Sequence, residues 1–288
     1  MKKYLWGLGG LVLAGALAAA YQTDNPSRGS QTNLDSVYAT LTQEQKHDLK
    51  YAVGALEVAE GLEANLFASE PMITNPTNID IDHKGRVWVL EAYNYRPHIT
   101  GNPTHAEGDR ILILEDTNGD GKADHFTDFQ GGLNIPIGIM PVSDGAIAYS
   151  IPNVYHFTDS NNDGKADKSN VLFGEFGHRD THGMVSNLMR GFDGWVQSCH
   201  GYNNTSTIAG TDGDSITMVS GNTFRFRPDG SRVEQTTYGR VNPFGYAYDE
   251  RGFLYSVDCH SKPIYQLIKG ADYPHFGKKP TGIGFAPE

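Results

Sequence analysis

One pattern recurs four times along this chain and narrows what it can fold into. PTNIDIDHKGRVWV from Pro76, PIGIMPVSDGAIAY from Pro136, HGMVSNLMRGFDGWV from His182 and PFGYAYDERGFLY from Pro243 each read as strand, tight turn, strand. A second alternating pair follows in each of the first three units: RILILED then FTDF, VYHFTD then VLFGEF, and TFRFRPDGSRVEQTTY. The turn glycines Gly85, Gly145, Gly194 and Gly252 are 60, 49 and 58 residues apart, which is the spacing of four-stranded propeller blades. The pattern predicts an all-β chain, with a β-propeller domain of about four blades over residues 56–288. A β-sandwich with hairpins of similar length is the alternative. Six blades at this spacing need about 330 residues, so the expected domain is an incomplete part of a six-bladed ring, with strand edges left open at both ends.

The N-terminus reads differently. Lys2 and Lys3 precede an apolar run from Leu5 to Ala20 that ends in small residues, the pattern of a signal peptide over residues 1–20. A retained anchor is the competing reading, but the run is short of the roughly 20 residues that span a bilayer. A periplasmic or secreted location is expected, with no membrane attachment after cleavage. Residues 21–55 form a flexible leader followed by a short helix over 41–53, in which Thr42 and Gln45 make a capping box. The formal charge is −11, and losing Lys2 and Lys3 makes it −13. Such a surface repels nucleic acid and suits cation binding. There is no phosphate-cradling glycine loop, no Gly-x-Ser-x-Gly elbow and no basic patch.

Two loops carry a cation-binding pattern. Asp116, Asn118, Asp120 and Asp124 recur 43 residues later as Asp159, Asn161, Asp163 and Asp167. Oxygen ligands at positions 1, 3, 5 and 9, with glycine at 6, match the first part of a calcium loop. Position 12 departs from it, being Thr127 and Asn170 instead of Glu. Asx side chains bracing long turns are the structural alternative. Cys199-His200 and Cys259-His260 are the other notable pairs. With His182 they form a His/Cys group open to three readings: a zinc or copper site, a disulfide between blades, or two separate thiols.

The runs FASEPMITNPTNIDID, VWVLEAYNYRP, GDRILILEDTNGDGKAD, DTHGMVSNLMRGFDGW, SGNTFRFRPDGSR, VNPFG and DCHSKPIYQLIKGADYP occur in one order. In that order they resemble the propeller domain of the membrane-bound dehydrogenase family of planctomycete and verrucomicrobial type. That domain is similar in turn to six-bladed, soluble glucose dehydrogenases that use pyrroloquinoline quinone. The resemblance implies an oxidoreductase acting on a sugar or other alcohol, with an electron-accepting cytochrome as partner. It implies His182 as general base, oriented by Asp180. It also implies a quinone site, for which Arg240, Asn242 and Glu91 are the candidates. Val241 stands where those dehydrogenases carry an arginine before Asn-Pro-x-Gly. The chain has no Cys-x-x-Cys-His, so it carries no covalent haem. A non-catalytic propeller that binds carbohydrate or a protein partner is the second reading. A calcium-dependent lactone hydrolase is the third, for which Glu91 and Asp258 are the carboxylates at hand. Glu91, Tyr93, Asn94, Tyr95 and Arg96 follow the first inner hairpin and Tyr202, Asn203 and Asn204 the third; Tyr and Asn stack on and hydrogen-bond sugars, and they are also ordinary loop residues.

Overall fold

Each recurring unit folds as an antiparallel meander that starts with the hairpin seen in the sequence. The computed structural model describes residues 39–46, 48–101, 104–260 and 264–273, so the signal run and most of the leader lie outside the described residues. The chain divides into two units, 1–67 and 68–288. In the first, the single helix expected over 41–53 is instead two helical turns, α1 (Gln43–Lys46) and α2 (Leu49–Ala52), and a 3-10 turn at Val53–Ala55. The capping box is present: Thr42 N–H donates to Gln45 Oε1 at 2.9 Å and Gln45 N–H to Thr42 Oγ1 at 3.2 Å. Leu49 is 48% exposed, so the apolar face meant to hold a longer helix is not buried.

In the second unit, β1 (Pro76–Ile81), β2 (Val87–Glu91), β3 (Asp109–Glu115) and β4 (His125–Leu133) form the first sheet in that order. The second is β5 (Gly138–Val142), β6 (Gly145–Ser150), β7 (Asn153–Thr158) and β8 (Lys168–Phe173). The third runs β9 (Val185–Arg190), β10 (Val196–His200), β13 (Asn222–Phe226), β14 (Val233–Gly239). The fourth contains β15 (Pro243–Tyr248), β16 (Leu254–Asp258) and β17 (Tyr265–Leu267). The first strands stand side by side, β1 against β5, β5 against β9 and β9 against β15. This is the four-blade propeller arrangement that the repeat predicts.

Two features depart from a plain repeat. A hairpin, β11 (Thr205–Ala209) and β12 (Ser215–Val219), is inserted between β10 and β13, and it buries Ile208 and Met218 in the core. After the fourth sheet the chain returns as β18 (Asp272–Tyr273), which pairs in parallel with β14 at the edge of the third. A short helix, α3 (Pro97–Thr100), lies between β2 and β3. Among the described residues no helix is long and apolar enough to cross a membrane.

The middle strands β2 and β3 of the first sheet and β6 of the second are largely buried on both faces. Trp88, Leu90, Ile111 and Ile113 of the first sheet pack with Ile139, Ala146, Ala148 and Phe157 of the second. Tyr149, Val154 and Phe173 pack with Val185, Val196, Phe224 and Phe226 of the third, and the Phe173 and Phe226 rings meet edge to face at 4.9 Å. Truncating Phe226 to Ala removes both its area and that ring contact. The expected loss is about 3–5 kcal/mol, read as a lower urea midpoint; a loss below about 1 kcal/mol would place the interface energy elsewhere.

One ion network ties the return segment to the third sheet. Glu234 on β14 receives Lys269 Nζ at 2.9 Å, Arg225 Nη2 at 2.8 Å and Arg232 Nε at 3.1 Å. The Lys269 hydrogen bond, opposed by burial and supported by Arg225, holds its carboxyl at about 2, below the ordinary 4.5. A depressed carboxylate contributes stability that is present above the unfolded value and is lost as pH falls through the folded one. Glu234→Gln is therefore expected to remove part of the stability loss between pH 4.5 and 2, measured as a flatter curve of melting temperature against pH. An unchanged curve would show that these exposed pairs contribute nothing to folding.

Candidate functional site

The starting ends of β1, β5, β9 and β15 surround a cavity of about 700 Å³. Its wall includes Asn75 and Thr77 from β1 and the turn before it, Ile137 before β5, and Ser186 and Asn187 from β9. Asn242 and Phe244 come from the start of β15, with Tyr95, Asp180, Thr181, His182, Tyr202, Cys259 and His260 from the connecting loops. Amide, hydroxyl and aromatic groups of this kind suit a polar small molecule that hydrogen-bonds and stacks.

The His182 loop is held by backbone contact and by two buried amides. A Cβ on Gly183 would lie 2.2 Å from the Tyr202 nitrogen, and one on Gly201 would lie 2.5 Å from the Gly183 backbone. Only glycine lets these two segments approach so closely. Asn204 is buried; it accepts from Asp180 N–H at 3.0 Å and donates to the carbonyls of Asp180 and Gly183 at 2.8 and 2.6 Å. Asn242 reaches across from the fourth sheet, accepting from Tyr202 N–H at 3.1 Å and donating to the His182 carbonyl at 3.3 Å. Its own loop is set by Asp258, which accepts from Val241, Asn242 and His260 N–H groups.

His182 is thereby presented with its side chain 56% exposed. Asp180 Oδ1 accepts from the His182 backbone N–H and stands 2.9 Å from Nδ1. Arg96 Nη1 lies 2.5 Å from Nε2. A guanidinium only donates, so Nε2 is the accepting nitrogen and Nδ1 carries the proton toward Asp180. Burial opposes the Asp180 charge, but the His182 backbone and imidazole hydrogen bonds and the nearby Arg96 outweigh it, holding the carboxyl below its ordinary range. Arg96 itself has φ of 50° immediately before Pro97, a left-handed conformation that costs a non-glycine residue roughly 1–3 kcal/mol.

The expected site residues thus divide. His182, Asp180 and Asn242 come together at the cavity, whereas Arg240 and Glu91 do not line it. Arg240 is buried behind the loop, where Nη2 donates to the Val257 carbonyl at 2.6 Å and the guanidinium lies 5.0 Å from the Tyr265 ring centroid. Glu91 is fully buried and receives Arg110 Nε at 2.5 Å, Tyr93 Oη–H at 2.9 Å and the Thr74 N–H. With Asp258 also occupied by backbone N–H groups, neither carboxylate considered for lactone hydrolysis faces the cavity. A quinone with three carboxylates needs several cations. Among the described residues the cavity wall has no lysine or arginine, and Arg96 stands beside it on His182 Nε2. The described residues do not fit that group.

The His/Cys group separates as well. Both cysteines are free. Cys199 is buried in the third sheet, where burial pushes its thiol up to about 11. His200 is buried beside it, with Nδ1 2.8 Å from the Ser220 carbonyl and Nε2 2.7 Å from Ser206 Oγ, and burial lowers its pKa. Cys259 and His260 line the cavity with His182. Among the described residues no three His, Cys, Asp or Glu side chains are placed to hold a metal.

The two acidic loops lie at the opposite end of the strands and brace themselves. Asp116 accepts from the N–H groups of Gly119, Asp120 and Gly121; Asn118 accepts from Asp120, and Asp120 from Lys122. Asp124 caps Thr117. Asp159, Asn161, Asp163 and Asp167 repeat the arrangement on Asp163, Gly164, Lys165 and Ser160. These are hydrogen-bonded turns, and among the described residues no three Asp, Glu, His or Cys side chains are grouped to hold a metal ion. Asp116→Ala and Asp159→Ala should each lower the melting temperature, with millimolar calcium leaving the parent protein unchanged. A calcium-induced rise that both variants lose would make the loops cation sites.

Antiparallel meanders with adjacent first strands, and a cavity at the starting ends of those strands, define a β-propeller with a ligand-sized site. The chain belongs to the family described as "Domain of unknown function (DUF7133)", which matches residues 48–281. None of the curated proteins matches it. Among solved structures it is similar to an oxidoreductase of Thermus thermophilus described as a glucose dehydrogenase, at 13% identity and a TM-score of 0.46. That likeness covers 70% of this chain and 64% of the other, less than two thirds of that protein's length. A luciferin-regenerating enzyme follows at 9% identity and TM-score 0.36, covering 68% and 74%. A further glucose dehydrogenase stands at 11% identity and 0.30, covering 54% and 69%. No activity follows for this chain from likenesses of this size.

Proposed function

We propose that this chain is an exported oxidoreductase-type propeller acting on a sugar or other small alcohol, with His182 accepting the hydroxyl proton while the carbon-bound hydrogen leaves as hydride to a separately supplied two-electron acceptor. The observation that carries this reading is the Asp180–His182 pair at the wall of the cavity. Asp180 on Nδ1 orients the ring and stabilises the imidazolium that forms, leaving Nε2 as the atom that takes the proton. Asn75, Asn187, Asn242, Tyr95 and Tyr202 supply the hydrogen bonds and ring faces that a polyhydroxylated ligand uses. The ordered motifs that resemble those of the planctomycete and verrucomicrobial dehydrogenases support the same class. The apolar run from Leu5 to Ala20 supports a periplasmic or secreted location, and an electron-accepting cytochrome is the partner that this class implies. Among the described residues the wall lacks the cations that pyrroloquinoline quinone needs, so this reading does not depend on it.

That same lack of cations favours a second reading, a propeller that binds carbohydrate without turnover. Dye-linked oxidation of a sugar and alcohol panel by the full chain, with calorimetry on the same ligands, separates the two. Under the first reading His182→Gln keeps ligand affinity and cuts turnover by about 10²- to 10⁴-fold. Binding without turnover, in the parent and the variant alike, would establish the second.

A further inference from the structure

The first strands enclose a second cavity, of about 420 Å³, next to the one lined by His182. Residues 78–81 of β1, 139–141 of β5 and 187–190 of β9 line it with Tyr246 of β15, and Asn78 and Asn187 belong to both cavities. β9 bulges here: it advances three residues, from Ser186 to Met189, while its partner β10 advances two, and Asn187 has φ of 57°. A bulge re-aims the side chains beyond it, and Arg190, the last residue of β9, lines the same cavity as Asp80 of β1.

These two residues carry opposite charges and do not meet. Asp80 Oδ1 accepts the Ile81 backbone N–H at 2.8 Å. Burial raises the Asp80 carboxyl above its ordinary value, opposed by that hydrogen bond and by the charge of Arg190, so the two groups are within electrostatic reach. Among the described residues no ion pair joins them, and the Arg190 guanidinium, exposed at the end of its strand, has no hydrogen-bond partner. A partly buried carboxylate held apart from a guanidinium across a cavity leaves both groups short of a charged partner.

We propose that this second cavity binds an apolar α-amino acid, with its carboxylate on Arg190 and its ammonium on Asp80. The arginine fork matches a carboxylate with two parallel N–H bonds, and an ammonium supplies the charged donor that Asp80 lacks. Met140 and Leu188 are buried in the wall, while Ile79 and Ile81 are each 62% exposed, so aliphatic surface is at hand for a ligand side chain to cover. A ligand with one of the two charges desolvates the opposite protein group without pairing it, so both charges are needed. The inference is independent of any chemistry at the Asp180–His182 pair, which lines the other cavity.

Calorimetry of the full chain with leucine, 4-methylpentanoate and 3-methylbutylamine tests it, because the three share a side chain and carry both charges, the negative one or the positive one. Leucine is expected to bind at least about tenfold tighter than either analogue. Asp80→Asn should lower leucine affinity to that of 4-methylpentanoate, and Arg190→Gln should lower it to that of 3-methylbutylamine. Both substitutions nearly keep side-chain size, and the ranking of the three ligands on the parent protein is decisive even if a variant fails to fold. His182→Gln should leave leucine binding as it is. No leucine binding at millimolar concentration, equal affinity for the three ligands, or a leucine preference that survives both cavity substitutions would overturn the proposal. So would leucine binding lost in His182→Gln, which would move the ligand to the other cavity.

Discussion

The burial of apolar side chains between successive sheets is the constraint on which the rest of this structure depends. Phe173 and Phe176 at the end of the second sheet meet Phe224 and Phe226 of the third, with Phe176 also edge-on to Tyr149. These rings are buried, and no sheet of this size can cover both of its own faces. Stacking the meanders solves this, and it forces the first strands β1, β5, β9 and β15 to stand in sequence order side by side. Once they do, the loops before them share one end of the molecule, and the cavity is a consequence of the packing.

What turns that shared end into a site is a set of buried polar groups whose hydrogen bonds go to backbone. Asn204 closes the 180–183 loop, Asn242 bridges the third and fourth sheets, and Asp258 fixes the loop that carries Asn242. Each is buried where an unpaired amide or carboxylate would be costly, so each is satisfied by main-chain partners. Their rigidity is what gives His182 a defined direction. Gly183 and Gly201 contribute by letting two backbones touch.

Much of this is legible in the sequence, and the gaps have physical causes. The four hairpins are readable because alternation and turn glycines are local signals; Gly85, Gly194 and Gly252 do adopt positive φ, at 80°, 76° and 82°. The β11–β12 hairpin escapes a sequence reading because within its strands only Ser206, Ile208 and Met218 are buried, so it lacks the apolar density of the blade strands. The helix expected over 41–53 is too long because a capping box signals a start, not a length. His182 and Asp180 stand out through a motif of consecutive residues. Asn204 reads as a sugar contact in the sequence and is a backbone brace in the structure, since whether an amide faces a ligand or a buried backbone depends on what folds over it.

The chain's own order of residues determined the class of fold, the blade spacing, the turn positions and the pairing of Asp180 with His182, because all of these follow from neighbours along the chain. Tertiary structure decided which candidates share a space. It buried Arg240 under Tyr265 and Glu91 under Arg110, separated Cys199-His200 from Cys259-His260, and set Arg96 from the first sheet's loop against a histidine 86 residues away. Period-two alternation says which face a strand residue takes. It is silent on which loop from a neighbouring blade will close over it, because that contact is set by how the sheets stack.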